Sequence, residues 1–292
     1  MKSNKLFLFA KNTDAFSAQR GYNYQTLKTL ETWISNFLDN NREEIYCEFE
    51  EDIFQKDLLN QKLVFRQIKL YSSNFSFSSE EIKKCIAHFF ILHVKSDYNN
   101  FEKEYVFETN SNIAAKYKDN DADLLREWFE SQDDLTPEKI AKYAIKVKAI
   151  VTEYIDEQKN VIKDKAELEE AIKIFEGLNC SFWEGFTKIV KWKFIGVSPD
   201  EEFSSIRDNI EDLIQRLPYD LVNEDSVQIF GVLLDKVFTR ITHREDEQRK
   251  ITYDLLEQSI LEISTNDDRW YSRRYDYYKN LDPIDQFRIG EF

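Results

Sequence analysis

The stretch CEFEEDIFQKDLLNQKLVFRQIKLY, residues 47–71, decides how this chain is read. In EEIYCEFEED (43–52), Ile45, Cys47 and Phe49 alternate with Tyr46, Glu48, Glu50 and Asp52, the period-two signature of a strand with one polar face. QKDLLNQ (55–61) reads as a loop, and KLVFRQIKLY (62–71) as a second, more buried strand. Strand side chains share a face every second residue, so Glu48, Glu50 and Asp52 fall together, as do Gln67 and Lys69 on the next strand. Glu51 points away in an unbroken strand, and a bulge would change that assignment.

Working outward, SAQRGYNYQTLKTLETWISNFLDN (17–40) has Ser17 placed as a cap, then Tyr24, Leu27, Leu30, Ile34 and Phe37 at helical spacing. SSEEIKKCIAHFFILHVKSD (78–97) predicts a helix capped by Ser78 or Ser79, with an apolar stripe through Ile82, Ile86, Phe89, Phe90 and Val94. EYVFETN (104–110) is a third strand. The order helix, strand, strand, helix, strand predicts an α/β unit with a small mixed sheet flanked by helices over residues 1–115. A mostly α-helical, acidic region for regulation or assembly follows over 116–268, then a tail or interaction segment over 269–292. Pro137 and Pro199 stand where a first helical turn tolerates proline. SFWEGFTKIVKWKFIGV (181–197) is expected to hold a short helix and a strand.

The 292 residues carry a net charge of −15, with 42% hydrophobic and 15% aromatic content, ample for a packed interior. Residues 1–110 hold 14 Lys+Arg against 16 Asp+Glu, so the acidity belongs to the second part, 26 against 39. Affinity for nucleic acid comes mainly from neutralising phosphates, so the objection an acidic chain raises falls on the C-terminal part. No apolar run approaches a membrane span, and the opening MKSNKLFLFAKNTDAF turns polar too soon for a secretory signal. Cys47, Cys85 and Cys180 have no metal-ligand spacing and read as reduced cysteines of a cytoplasmic protein. There is no G-x-x-x-x-G-K-[ST] and no G-x-S-x-G.

A carboxylate at the end of one strand, an oxygen donor from the next and a lysine one pleat away suit Mg²⁺ and phosphodiester hydrolysis. The competing account of Glu48, Glu50, Glu51 and Asp52 is a solvated edge strand whose charges deter pairing. Lys69 alone would be a surface lysine. His88 and His93 are five residues apart, not the i, i+4 of a metal pair, and read as helix-boundary or interface histidines. The aromatic stripe Phe182, Trp183, Phe186, Trp192, Phe194 reads as core. Arg269, Arg273 and Arg274 among Trp270, Tyr271 and Tyr275 read as a protein contact, because acidic residues interrupt the cluster.

The order Gly21-x-x-Tyr24-Gln25, then Asp52, then Gln67-x-Lys69 resembles the PD-(D/E)XK nuclease superfamily in its Q-x-K form. More narrowly, RGYNYQ, FEEDI, RQIKLY and VFETN resemble the effector endonuclease domain of bacterial anti-phage systems. That domain accompanies cyclic-oligonucleotide (CBASS) signalling and has relatives in STAND NTPase and Lamassu systems. The resemblance covers roughly residues 15–112. It implies a restriction-endonuclease-like fold and a double-stranded DNA substrate cut with Mg²⁺ or Mn²⁺. Asp52 is then the principal metal carboxylate, Gln67 and the backbone carbonyl of Ile68 are further ligands, and Glu50 or Glu51 is an added candidate. Lys69 is the catalytic lysine, and Gln25 stands where relatives have a helix glutamate near the metal. Regulatory partners from a defence operon, and a homo-oligomer or a larger complex, are also implied, with no membrane. The alternative is a catalytically inactive nuclease-fold subunit that binds or adapts.

Overall fold

The computed structural model describes residues 16–115, 120–219 and 222–265. The side chain of Ser17 and the segment 269–292 lie outside the described residues. The chain runs α1 (Phe16–Leu38), β1 (Glu44–Phe49), β2 (Glu51–Asp57), β3 (Lys62–Lys69), α2 (Glu80–Val94) and β4 (Glu102–Thr109). It continues through α3 (Asn120–Ser131), α4 (Pro137–Gln158), α5 (Lys165–Glu176), α6 (Cys180–Lys188) and β5 (Val190–Phe194). The last elements are α7 (Pro199–Gln215), α8 (Val222–Ile241), β6 (Lys250–Ile251) and α9 (Tyr253–Thr265).

Among the described residues six strands form one mixed sheet, ordered β5-β4-β3-β2-β1-β6. β3, β4 and β5 run parallel, while β2, β1 and β6 alternate antiparallel. The expected α/β fold class is therefore present. The sheet is not confined to residues 1–115, because β5 joins beside β4 and β6 beside β1.

Helices cover both faces. On one, Leu63 and Phe65 of β3 and Tyr105 and Phe107 of β4 pack with α2, α3, α4 and α6. The rings of Phe54, Phe65 and Tyr105 stack across three strands at centroid distances of 4.8 and 5.2 Å. Such cross-strand aromatic pairs contribute roughly 0.2–1 kcal/mol each and fix the register. On the other face, Ile45, Cys47, Ile53 and Ile68 pack with α1, α7, α8 and α9. Helices from the acidic region thus pack on both faces of the sheet, α3, α4 and α6 on one and α7, α8 and α9 on the other.

Several expectations hold in detail. Thr136 and Ser198 cap α4 and α7 with proline in the first turn, and Ser198 with Glu201 completes a capping box. Ser79 is the N-cap of α2 but makes no capping bond; its hydroxyl accepts from the Ser76 amide instead. Residues 181–197 supply most of α6 and all of β5, and Trp183, Phe186, Trp192 and Phe194 are core. No described helix is long and apolar enough to cross a membrane.

The region of the opening stretch departs from expectation. Residues 43–52 are not one strand: the chain folds back at Glu50, and Phe49 pairs with Glu51 across the hairpin. Glu48 and Glu50 take left-handed φ values of 52° and 62°, at a cost of about 1 kcal/mol each. Period-two alternation fails there, so the expected common face of Glu48, Glu50 and Asp52 is broken. Gln55–Asp57, expected in a loop, extend β2.

Candidate active site

The site forms where β2 and β3 part. Their ladder runs from Asp57↔Lys62 to Ile53↔Arg66 and stops. One step further, the Asp52 carboxylate takes the place of a backbone acceptor, receiving the Ile68 N–H at Oδ2, 2.7 Å. That bond points Asp52 into the fork, where the Lys69 ammonium lies 3.5 Å from the same oxygen. On its other side β3 stays paired with β4 as far as Lys69↔Thr109, so Lys69 projects from a rigid strand. The two groups on which a hydrolytic reading depends are neighbours.

α1 closes the fork. Ala18, Arg20, Gly21, Tyr22 and Gln25 line a cleft of about 620 Å³ with Glu48, Asp52, Ile68, Lys69, Leu70, Tyr71, Ser72 and Pro199. Gln25 donates from Nε2 to the Ile68 carbonyl at 3.4 Å, and its Oε1 is buried with no partner among the described residues. Gln67 does not line the cleft. Its Nε2 lies 3.5 Å from Glu51 Oε2, on the side of the sheet facing α2, and Gln67 Oε1 and Glu51 Oε1 are both buried with no hydrogen-bond partner among the described residues. Glu51 Oε2 also accepts the Asp52 amide at 3.3 Å, which ties this pair to the back of the site.

Glu50 is drawn away. Its carboxylate pairs with Lys95 and accepts from the Tyr98 hydroxyl at 2.8 Å, while its carbonyl meets His88 Nε2 at 2.7 Å. Of the two added candidates, Glu51 adjoins the site and Glu50 does not. His88 anchors the hairpin and lies 3.6 Å from Glu51 Oε1. His93 is packed beside Tyr105 and Phe186, on the buried side of α2. Glu48 is the cleft residue that strand reasoning placed but did not select; left-handed backbone at a non-glycine residue cannot be read from alternation.

The electrostatics are those of crowded acids around one lysine. Burial, then the Asp52 charge, pushes Glu48 up to about 7 and Glu51 up to about 8. Burial would lower the Lys69 ammonium, but Asp52 and then Glu51 outweigh it and its pKa is raised. Lys69 is therefore a fixed positive charge at neutral pH rather than a base. Among the described residues no three His, Cys, Asp or Glu side chains gather around one point, so a cation would rely on mixed donors. The Asp52 and Glu48 carboxylates, the Ile68 carbonyl and the unpartnered Gln25 oxygen are all hard oxygens at one cleft. Mg²⁺ asks for that chemistry, binding through one or two carboxylates and keeping several waters. A divalent charge would also favour the ionised forms of Glu48 and Glu51, which burial and then the Asp52 charge disfavour. The residues fit the ion.

No curated protein matches the chain significantly. Among solved structures, three of the Acinetobacter baumannii Cap4 SAVED/CARF-domain containing receptor match, two of them with the cyclic trinucleotides 3′3′3′-cAAA and 2′3′3′-cAAA. Identity is 14% and the TM-score 0.45, over 87% of this chain. The chain spans 46–48% of the length of those receptor chains. The family described as Cap4, dsDNA endonuclease domain matches residues 16–186, which run from the start of α1 through the β2–β3 fork into α6. With more than half of its length inside that match, including every residue of the fork, this chain belongs to the Cap4 double-stranded-DNA endonuclease domain family.

Proposed function

We propose that this chain is a metal-dependent endonuclease acting on double-stranded DNA, an effector of a bacterial anti-phage system of the CBASS type. The observation that carries the reading is the Asp52–Lys69 approach of 3.5 Å at the mouth of a cleft with hard-oxygen donors. Asp52, the Ile68 carbonyl, Gln25 and Glu48 would hold Mg²⁺ or Mn²⁺, with Glu51 and Gln67 behind them. When bound, the ion supplies positive charge against the scissile phosphate and acidifies water for attack. Lys69, kept protonated by Asp52 and Glu51, steadies the charge that develops on the phosphate. Asp52 orients Lys69 and, through the Ile68 amide, fixes the strand that presents both. Gln25 holds the Ile68 carbonyl from the helix side.

Each chain offers one such cleft among its described residues, and cutting both strands requires two copies close together. Oligomerisation or a regulatory partner is the proposed means of activation. The test is plasmid cleavage with Mg²⁺ or Mn²⁺, alone and with the products of neighbouring genes. Lys69→Ala should abolish cutting without unfolding the protein, and cleavage at the wild-type rate would overturn the proposal.

A second reading, a nuclease-fold adaptor without hydrolysis, draws on amides standing at Gln25 and Gln67. It predicts no Mn²⁺ binding by calorimetry, whereas the nuclease reading predicts binding that Asp52→Asn removes.

A further inference from the structure

α1 presents two adjoining stripes. Ala18, Gly21, Tyr22 and Gln25 face the cleft, and Arg20 lines it as well. Arg20, Tyr24 and Lys28, one turn apart from each other, face the start of α7. There Glu202, 4% exposed, accepts the Tyr24 hydroxyl at 2.8 Å and lies 3.6 Å from the Lys28 ammonium. Lys28 reaches on to Glu108 of β4 at 3.0 Å, and Glu108 holds Arg66 of β3 at 2.7 Å. A buried chain of alternating charge thus runs from α7 through α1 into the two strands behind the site. Arg20 pairs with Asp200 and sits over the Phe203 ring at 5.2 Å, and Tyr24 meets that ring edge-on at 5.9 Å. Pro199, at the head of the same helix, is itself a wall of the cleft. All of α7 lies beyond residue 186, where the family match ends.

A buried carboxylate without partners is costly, so Glu202 favours the arrangement in which Tyr24 and Lys28 stay within reach. Those residues flank Gln25 in sequence, at one position before it and three after. Moving α7 away would strand Glu202 and release the turn of α1 that carries Gln25 against Ile68.

We infer that Glu202 is a positioning residue, through which α7 sets the placement of Gln25 and so couples the acidic helical region to the cleft. The effect on cleavage rests on the proposed nuclease function, whereas the grip on α1 does not.

Hydrogen–deuterium exchange on the full metal-free chain tests the grip, and single-turnover plasmid cleavage with Mg²⁺ tests its consequence. Glu202→Ala and Tyr24→Phe are compared, the second keeping the ring against Phe203 and serving alone if the first fails to fold. Expected is faster exchange confined to residues 18–28, with cleavage slowed about 10- to 100-fold at unchanged DNA affinity, the usual result of misplacing a site by about 1 Å. Unchanged exchange over 18–28, or a rise spread evenly through β4 and α4, overturns the inference. So does cleavage at the wild-type rate despite faster exchange of α1. If the wild-type protein does not cut, the nuclease reading fails while exchange still decides whether Glu202 holds the helix.

Discussion

Asp52→Asn and Asp52→Ala should separate two tasks that one carboxylate performs. Its Oδ2 accepts the Ile68 amide at 2.7 Å where the β2–β3 ladder has ended, so it is part of the sheet as well as of the site. Asparagine keeps an acceptor of the same reach, and alanine leaves a largely buried N–H unpaired, at about 1–3 kcal/mol. Asparagine also loses the attraction to Lys69, a partly exposed pair worth ~0–1 kcal/mol, but relieves repulsion with Glu48 and Glu51. Asp52→Asn should therefore unfold in urea within about 1 kcal/mol of wild type, and Asp52→Ala about 1–3 kcal/mol below it. At ~2–4 °C per kcal/mol the alanine variant melts several degrees lower. Both should lose cleavage by at least ~10²–10³-fold, since the negative charge at the cleft is gone in each. Urea unfolding without metal, followed by far-UV dichroism, and plasmid nicking with Mg²⁺ read the two effects. Near-normal cutting by Asp52→Asn would refute the role of the charge. Equal stability of the two variants would refute the role of the carboxylate as a ladder acceptor.

Glu50→Gln should leave cleavage unchanged, because Glu50 is held by Lys95 and Tyr98 outside the cleft; a large loss would restore it as a ligand. Mn²⁺ binding should tighten from pH 6 to pH 8.5, since Glu48 at about 7 must lose its proton to bind the ion and the nearby charge favours ionisation of Glu51 at about 8. Calorimetry in buffers of different ionisation heat would detect that release, and flat affinity would contradict it. Burial, then Lys103, lowers His93 to about 4 from an ordinary 6.5. Below pH 6.5 the unfolded chain takes the proton first, so stability present above 6.5 is lost as pH falls through about 4. The urea midpoint should drop more steeply on acidification in wild type than in His93→Phe, and parallel slopes would refute this.

The order of elements, the first-turn prolines Pro137 and Pro199 and the aromatic core of α6 and β5 were legible because each depends on neighbours a few residues apart. Asp52 and Lys69 were legible too, since a motif records chemistry that a strand pair can bring together. The hairpin at Glu50 was not, because two non-glycine residues take left-handed backbone there without any local signal. That fold-back turns Glu50 toward Lys95 and leaves Glu51 beside Gln67. Nor could periodicity reveal that β5 and β6 complete the sheet, or that Glu202 meets Tyr24 from 178 residues away. The sequence by itself determined which segments are helix or strand and which residue types are available for chemistry. Only tertiary structure decided which carboxylates share the cleft and what holds α1 beside it, because those choices come from burial and pairing between segments distant along the chain.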